Sequence, residues 1–193
     1  MSTARTAAIV LAAGLGSRFG GRKLLAPLRG RPMLQHVLDL VAGSALDPVV
    51  VVLGADSADL TTACRWRDEL RLVNARPADG ISSSLRLALD ALAETDVERA
   101  VVLLGDQPLL SADQLGAILE APPSPILVPS YEGVPGNPVV LDRSVWPLAR
   151  ALAGDRGMSQ LFEQRRDLVG YVELAGDNPG IDTPEELARI SRA

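Results

Sequence analysis

With 193 residues, 47% of them hydrophobic, the chain is long enough to bury the core of one domain and too short for two independent ones. A net charge of -5, from 24 acidic and 19 basic residues without a dense basic tract, argues against nucleic acid as a partner. No apolar run approaches a membrane span and no small-residue cleavage site follows the N-terminus. The one cysteine, Cys64, excludes an internal disulfide, so the expectation is a cytoplasmic protein in which Cys64 is a small packed residue.

Apolar runs of strand length alternate with helical patterns, which predicts an α/β sheet with crossover helices. The first strand is read at Ala7 to Leu11, followed by a loop from Ala12 to Leu28. Pro32 then opens a helix in which Leu34, Val37, Leu38 and Val41 share one face. The lone histidine, His36, falls inside that pattern and reads as a packing or surface residue. Next come a strand at Val49 to Leu53, a short helix around Leu60 to Trp66, a weaker strand at Leu70 to Val73 and a helix from Ser82 to Leu92. Ala100 to Leu104 is continuously apolar, as a strand covered on both faces should be. Ser111 and Gln114 form a capping box for a helix that stops before Pro122 and Pro123. Strands are expected at Ile126 to Val128, Val139 to Leu141 and Leu168 to Val172, with a loop from Tyr131 to Pro138. Helices are expected around Val145 to Leu152 and Ser159 to Arg166, and a last one is announced by the capping box of Thr183 and Glu186 around Pro184.

The segment Leu11-Ala12-Ala13-Gly14-Leu15-Gly16-Ser17-Arg18-Phe19-Gly20-Gly21-Arg22-Lys23 follows the first strand, at the edge of an α/β sheet where ligands bind. Its glycines let several backbone N–H groups converge on an anion. Arg18 and Lys23 add a planar fork and a mobile point charge, and Lys23 is the only lysine among the 19 basic residues. Together they describe a polyphosphate cradle. Two familiar motifs fail here. Gly16 and Gly21 have the separation of the phosphate loop G-x-x-x-x-G-K-S/T, yet Arg22-Lys23 stands where a lysine and a hydroxyl residue belong. Gly14 and Gly16 suit the dinucleotide fingerprint, but Phe19 occupies its third glycine position and no acid lies at the expected distance.

Asp106, in Gly105-Asp106-Gln107-Pro108, ends an apolar strand and is a candidate metal ligand. Mg²⁺ takes one or two carboxylates plus substrate phosphates, and Asp182, in Gly180-Ile181-Asp182-Thr183-Pro184, is the best second acid. Asp182 also stands where a carboxylate could serve a helix dipole instead. Gly80, Ser82 and Ser83 open a helix whose N–H groups and hydroxyls suit an anion, with plain helix capping as the alternative.

The glycine segment resembles the signature L-A-A-G-x-x-x-R-x-G-x-x-K-L of the MobA-like nucleotidyltransferases, and L-A-A-G is closer to the cytidylyl branch that handles the molybdenum cofactor than to the guanylyl branch. Gly105-Asp106-Gln107-Pro108 is similar to the family's G-D-x-P, Gly80 to Leu85 to its G-x-S-S-S-L, and Asp182-Thr183-Pro184 to the end of its D-x-D-T-P-E, where Gly180 replaces the first acid. The resemblance runs from about Ile9 to Leu187. It implies a single domain over residues 1–193 with a three-layer, Rossmann-like α/β fold, a mostly parallel sheet and helices on both faces. It further implies transfer of CMP from CTP to a phosphate-bearing acceptor, the molybdenum cofactor, with Mg²⁺ as cofactor and a molybdoenzyme or its chaperone as a further partner. Arg18, Lys23 and Asp106 would then be catalytic, Asp106 and Asp182 would hold metal, and Leu11, Ala12, Ala13, Gly14, Gly16, Ser17, Gly80, Ser82 and Ser83 would bind the nucleotide. Gly136 and Asn137 would form the acceptor loop, where the cytidylyl branch commonly reads R-G-H-P and this chain has Pro135-Gly136-Asn137-Pro138. That departure bears on the acceptor more than on the nucleotide. Two other readings stay open: a pyridine nucleotide-dependent reductase of the same family, and a nucleotide-binding module without catalysis.

Overall fold

The structure is a computed structural model that describes residues 5–14, 16–154 and 157–192. In chain order its elements are β1 (Thr6–Ala12), β2 (Pro27–Leu28), β3 (Arg31–Pro32), α1 (Met33–Ala42), β4 (Val49–Leu53), α2 (Ser57–Ala63), β5 (Leu70–Val73), α3 (Ile81–Ala91) and β6 (Arg99–Leu104). There follow α4 (Ala112–Glu120), β7 (Ile126–Tyr131), β8 (Val134–Pro135), β9 (Val139–Asp142), α5 (Trp146–Arg150), α6 (Gly157–Gln164), β10 (Val169–Leu174) and α7 (Pro184–Arg192).

Eight strands form one sheet in the order β10-β7-β9-β6-β1-β4-β5, with β8 paired to β7. β1 runs parallel to β4 and β6, as do β5 to β4 and β10 to β7, while β9 is antiparallel to both β6 and β7. The alternation of strand side chains divides the core into two layers. Ala8, Val10 and Ala12 of β1 pack with α1, α4 and α7 on one face, and Ala7, Ile9 and Leu11 pack with α3, α5 and α6 on the other. Because both faces are covered, β4 is apolar throughout and β1 and β6 are apolar after their first residues, Thr6 and Arg99, which is why they appear in the sequence as unbroken runs. Among the described residues no helix is long and apolar enough to cross a membrane.

The chain passes from β1 to β4 on one side, whereas β6 pairs with β1 on the other. This reversal opens a crevice beyond the carboxyl ends of β1 and β6, where nothing continues the sheet. Gly105 N–H donates to the Leu11 carbonyl at 2.9 Å and draws the two strand ends together. The segment after β4 packs against the same place. A Cβ on Gly54 would lie 2.8 Å from the Ala13 carbonyl oxygen and 3.1 Å from its Cα. Since both atoms are backbone, Gly54→Ala is expected to cost about 1–3 kcal/mol of stability, read from the urea unfolding midpoint. An unchanged midpoint would show that the glycine loop yields freely.

The structure differs from the sequence reading in three places. The expected loop from Ala12 to Leu28 holds two 3₁₀ turns, Ser17–Phe19 and Lys23–Leu25, and the start of a small hairpin, β2–β3. The short helix begins at Ser57 rather than near Leu60, and it stops before Cys64, whose backbone is extended. The stretch read as a loop after Tyr131 contains a tight hairpin in which β7 and β8 pair across Glu132 and Gly133, both with positive φ. Glu-Gly is a poorer turn signal than Asn-Gly, so the pattern is weak in the sequence.

Two minor residues behave as their sequence context implies. His36 Nε2 lies 2.8 Å from the Leu28 carbonyl, and Cys64 is 7% exposed. Burial, with the Asp39 charge, pushes the Cys64 thiol up to about 11. It is therefore protonated as well as covered at neutral pH. A thiol reagent at about pH 8 is expected to label the protein only after unfolding. Rapid labelling of the folded chain would contradict that.

Candidate active site

The crevice contains a cavity of about 320 Å³. One wall is the glycine segment, through Leu11, Ala12, Ala13, Gly14, Gly16, Ser17, Lys23 and Leu24. A second is the approach to α3, through Pro77, Ala78, Gly80, Ile81 and Ser84, and Leu104 and Asp106 close the third. Leu15 lies outside the described residues. Local chemistry shapes the glycine wall. Gly16 has φ +58° and a Cβ there would meet the Lys23 Cβ at 3.2 Å, so a side chain would strain the backbone and crowd the lysine. Arg22 Nη2 holds Asp59 Oδ2 of α2 at 2.6 Å, anchoring the far end of the loop.

Lys23 is the hub of the charged groups. Its Nζ donates to Asp106 Oδ2 at 2.5 Å and to Asp182 Oδ1 at 2.9 Å, and Arg18 Nη1 donates to Asp182 Oδ2 at 3.0 Å. The Lys23 side chain is only 11% exposed, whereas that of Arg18 is 77% exposed. Burial opposes the Lys23 ammonium, but the Asp106 charge and the bonds to Asp106 and Asp182 outweigh it and hold the group above its ordinary value. The bond from Lys23 holds the Asp182 carboxyl below its ordinary range against a smaller burial effect, with the charges of Lys23 and Arg18 assisting. Lys23 and Asp182 thus stay ionised across the neutral range, as a phosphate and metal site requires.

The carboxylates arrive from opposite parts of the chain. Asp106 follows β6 directly, and Ile181 N–H donates to the Asp106 carbonyl at 3.0 Å, which pins the segment carrying Asp182 beside it. Glu186 accepts from the N–H groups of Asp182 at 2.7 Å and Thr183 at 3.0 Å, while Thr183 Oγ1 accepts from Glu186 N–H at 3.2 Å. Glu186 and Thr183 therefore satisfy the start of α7, and the Asp182 side chain is left to face Lys23 and Arg18 instead of capping the helix.

The residues singled out in the sequence divide into three groups. Those of the glycine segment, with Gly80, Lys23 and Asp106, line the cavity, and Arg18 and Asp182 join at its charged end. Ser82, Gly136 and Asn137 instead line a second cavity of about 280 Å³. Ser83 lines neither: its hydroxyl donates to the Gly80 carbonyl at 2.7 Å and accepts from Asn74 Nδ2 at 2.8 Å, and no serine side chain caps the start of α3. The hydroxyl that reaches the first cavity belongs to Ser84, three residues after Ile81 and so on its helix face, and it accepts from Asn74 Nδ2 at 2.9 Å. The sequence reading also passed over Asn178. It is 7% exposed, donates to the Asn137 carbonyl at 3.0 Å and accepts from Gln107 Nε2 at 3.0 Å through its own carbonyl. It thereby ties the Asn137 loop to the residue beside Asp106.

Residues 8–169 match the MobA-like NTP transferase domain. The chain belongs to that family. The MobA-like protein is 31% identical to nicotine blue oxidoreductase of Paenarthrobacter nicotinovorans, over 94% of each chain. It is also 31% identical to purine catabolism protein PucB of Bacillus subtilis, over 96% of this chain and 95% of that one. Among solved structures it is similar to Rv0371c of Mycobacterium tuberculosis in complex with manganese, with 27% identity, a TM-score of 0.86 and coverage of 98% of this chain and 99% of that one. The fold expected from the resemblance, a three-layer, mostly parallel α/β sheet with helices on both faces, is the one observed for this MobA-like chain.

Proposed function

We propose that the protein transfers CMP from CTP to a phosphate-bearing acceptor, the molybdenum cofactor, and releases pyrophosphate. The observation that carries this reading is the convergence of Lys23, Asp106, Asp182 and Arg18 at one end of a cavity walled by a glycine-rich loop. In the reaction an oxygen of the acceptor phosphate attacks the α-phosphorus of the triphosphate. The new P–O bond replaces the bond to the β-phosphate, and pyrophosphate leaves with the electron pair. The substrate supplies the nucleophile, so the protein contributes alignment and neutralisation of charge. Backbone N–H groups of the glycine segment and the Lys23 ammonium receive the phosphates, and the exposed Arg18 meets the leaving group.

The donor set fits a divalent cation. Oxygens of Asp106 and Asp182 both lie within hydrogen-bond reach of the single Lys23 nitrogen, so the two hard ligands face one position, held in this structure by the ammonium. Mg²⁺ held by Asp106 and Asp182, with phosphate oxygens completing its shell, would polarise the reacting phosphate. That the similar Rv0371c was solved in complex with manganese supports a divalent metal as the cofactor.

The test is nucleotide binding and pyrophosphate release with CTP, GTP and ATP plus Mg²⁺, with and without molybdopterin-bound molybdenum. Release that needs both CTP and acceptor is the expected result. Release with GTP alone among the triphosphates would change the nucleotide assignment. Failure to bind any triphosphate, together with binding of a pyridine dinucleotide, would replace this reading by the reductase, the activity named for one relative.

A further inference from the structure

Asn74 lines neither cavity and belongs to none of the motifs singled out in the sequence, yet it is 8% exposed and each of its hydrogen-bonding side-chain groups is engaged. Its own N–H donates to the Leu53 carbonyl at 2.8 Å, at the end of β4. Its side-chain Oδ1 accepts from Arg76 N–H at 2.8 Å, which fixes the sense of the amide, and Nδ2 donates to Ser83 Oγ at 2.8 Å and to Ser84 Oγ at 2.9 Å. Ser83 passes its own proton to the Gly80 carbonyl. Ser84 is placed differently. It is 4% exposed, its hydroxyl accepts from Asn74, and the carbonyl one turn back, that of Gly80, is already taken by Ser83 N–H at 3.1 Å and Ser83 Oγ at 2.7 Å. Among the described residues no acceptor is paired with the Ser84 proton, and Ser84 lines the first cavity.

Resting on the reading of the first cavity as a nucleotide site, we propose that Asn74 is a positioning residue for nucleoside recognition: by donating to Ser84 it sends the Ser84 proton into the cavity, so that this hydroxyl selects a hydrogen-bond acceptor on the base. The charged residues lie at one end, where Lys23 meets Asp106 and Asp182, whereas the wall of Pro77, Ala78, Gly80, Ile81 and Ser84 carries no charge. A triphosphate drawn to the charges leaves its nucleoside to the uncharged wall. There cytosine offers two adjacent acceptors, O2 and N3, while the corresponding edge of guanine carries N–H donors. An oriented donor is satisfied by the first and faces another donor in the second, which leaves buried polar groups unpaired.

The test is calorimetric titration of the full chain at about pH 8, where an introduced carboxylate is ionised, with CTP plus Mg²⁺ and with tripolyphosphate as a probe of the charged end alone. Ser84→Ala removes the donor and is expected to weaken CTP about tenfold. Asn74→Asp keeps the side-chain shape and can still accept from Arg76 N–H, but it cannot donate. It draws the Ser84 proton to itself, and it too is expected to weaken CTP about tenfold. The double variant should also bind CTP about tenfold more weakly than the parent, not about a hundredfold, because one residue acts through the other. Tripolyphosphate should bind the parent and the variants alike. Losses that multiply in the double variant, unchanged CTP affinity in either single variant, or an equal loss of tripolyphosphate with Asn74→Asp would overturn the proposal and leave the transferase reading standing. If the parent prefers GTP to CTP, the cytidylyl reading and the base assignment fall together, and the same cycle repeated with GTP still decides whether Asn74 acts through Ser84.

Discussion

Lys23→Ala is expected to lower turnover by about a hundredfold to a thousandfold while the fold survives, the usual loss when one preorganised charge facing a reacting phosphate is removed. The only lysine in the chain has an 11% exposed side chain and is bonded to both carboxylates of the site. No neighbouring ammonium can substitute for it. Arg18 is 77% exposed and engaged with Asp182 alone, and its guanidinium is a different shape of donor. The variant carries a second expectation of opposite sense. With the ammonium gone, Asp106 and Asp182 repel one another across an empty position, so Mn²⁺ alone, followed by paramagnetic resonance, should bind the variant more tightly than the parent. Near-parental turnover would remove Lys23 from the phosphate role. Lost turnover with looser Mn²⁺ would mean that the loop itself had come apart.

Asp106→Asn is expected to lower activity about a hundredfold and to raise the metal concentration for half-maximal activity about tenfold. The substitution preserves shape and the backbone contact in which Asp106 accepts from Ile181 N–H, so the segment carrying Asp182 stays in place. What changes is one oxygen of the pair that converges on the Lys23 position. A neutral amide oxygen is a weaker ligand for a hard cation, and the amide nitrogen repels one. A metal response identical to the parent's would show that Asp106 serves Lys23 and not an ion.

Much of the architecture is legible from local pattern. β4 begins and ends where its apolar run does, at Val49–Leu53, because a strand covered on both faces excludes polar residues throughout its length. The capping box of Ser111 and Gln114 is present in both directions, at 3.1 Å and 3.0 Å, since its partners lie one helical turn apart and nothing distant competes. Where a competing contact exists, the sequence is a poorer guide. The three serines Ser82, Ser83 and Ser84 look alike on the page. Their helical rotation sends one to each of three environments, and Asn74 binds the hydroxyls of both Ser83 and Ser84.

By itself the sequence determined the order of the longer strands and helices, the covered faces, and the glycine segment with Arg18 and Lys23 at the end of the first strand. Each of these follows from backbone sterics, hydrophobic periodicity or capping within a few residues. The tertiary structure alone decided how the charges meet. Lys23 and Asp182 are 159 positions apart, and Arg18 and Asp182 are 164 apart. Nothing local distinguishes a carboxylate that completes such a site from one that serves the dipole of the next helix. The choice follows from the antiparallel return of β9, the β10 crossover and the Ile181 bond to Asp106, which bring the chain's end back to its beginning and leave the helix start to Thr183 and Glu186. The second cavity is likewise a product of packing, assembled from α3, α6 and the Asn137 loop, whose side chains carry no shared motif in the sequence.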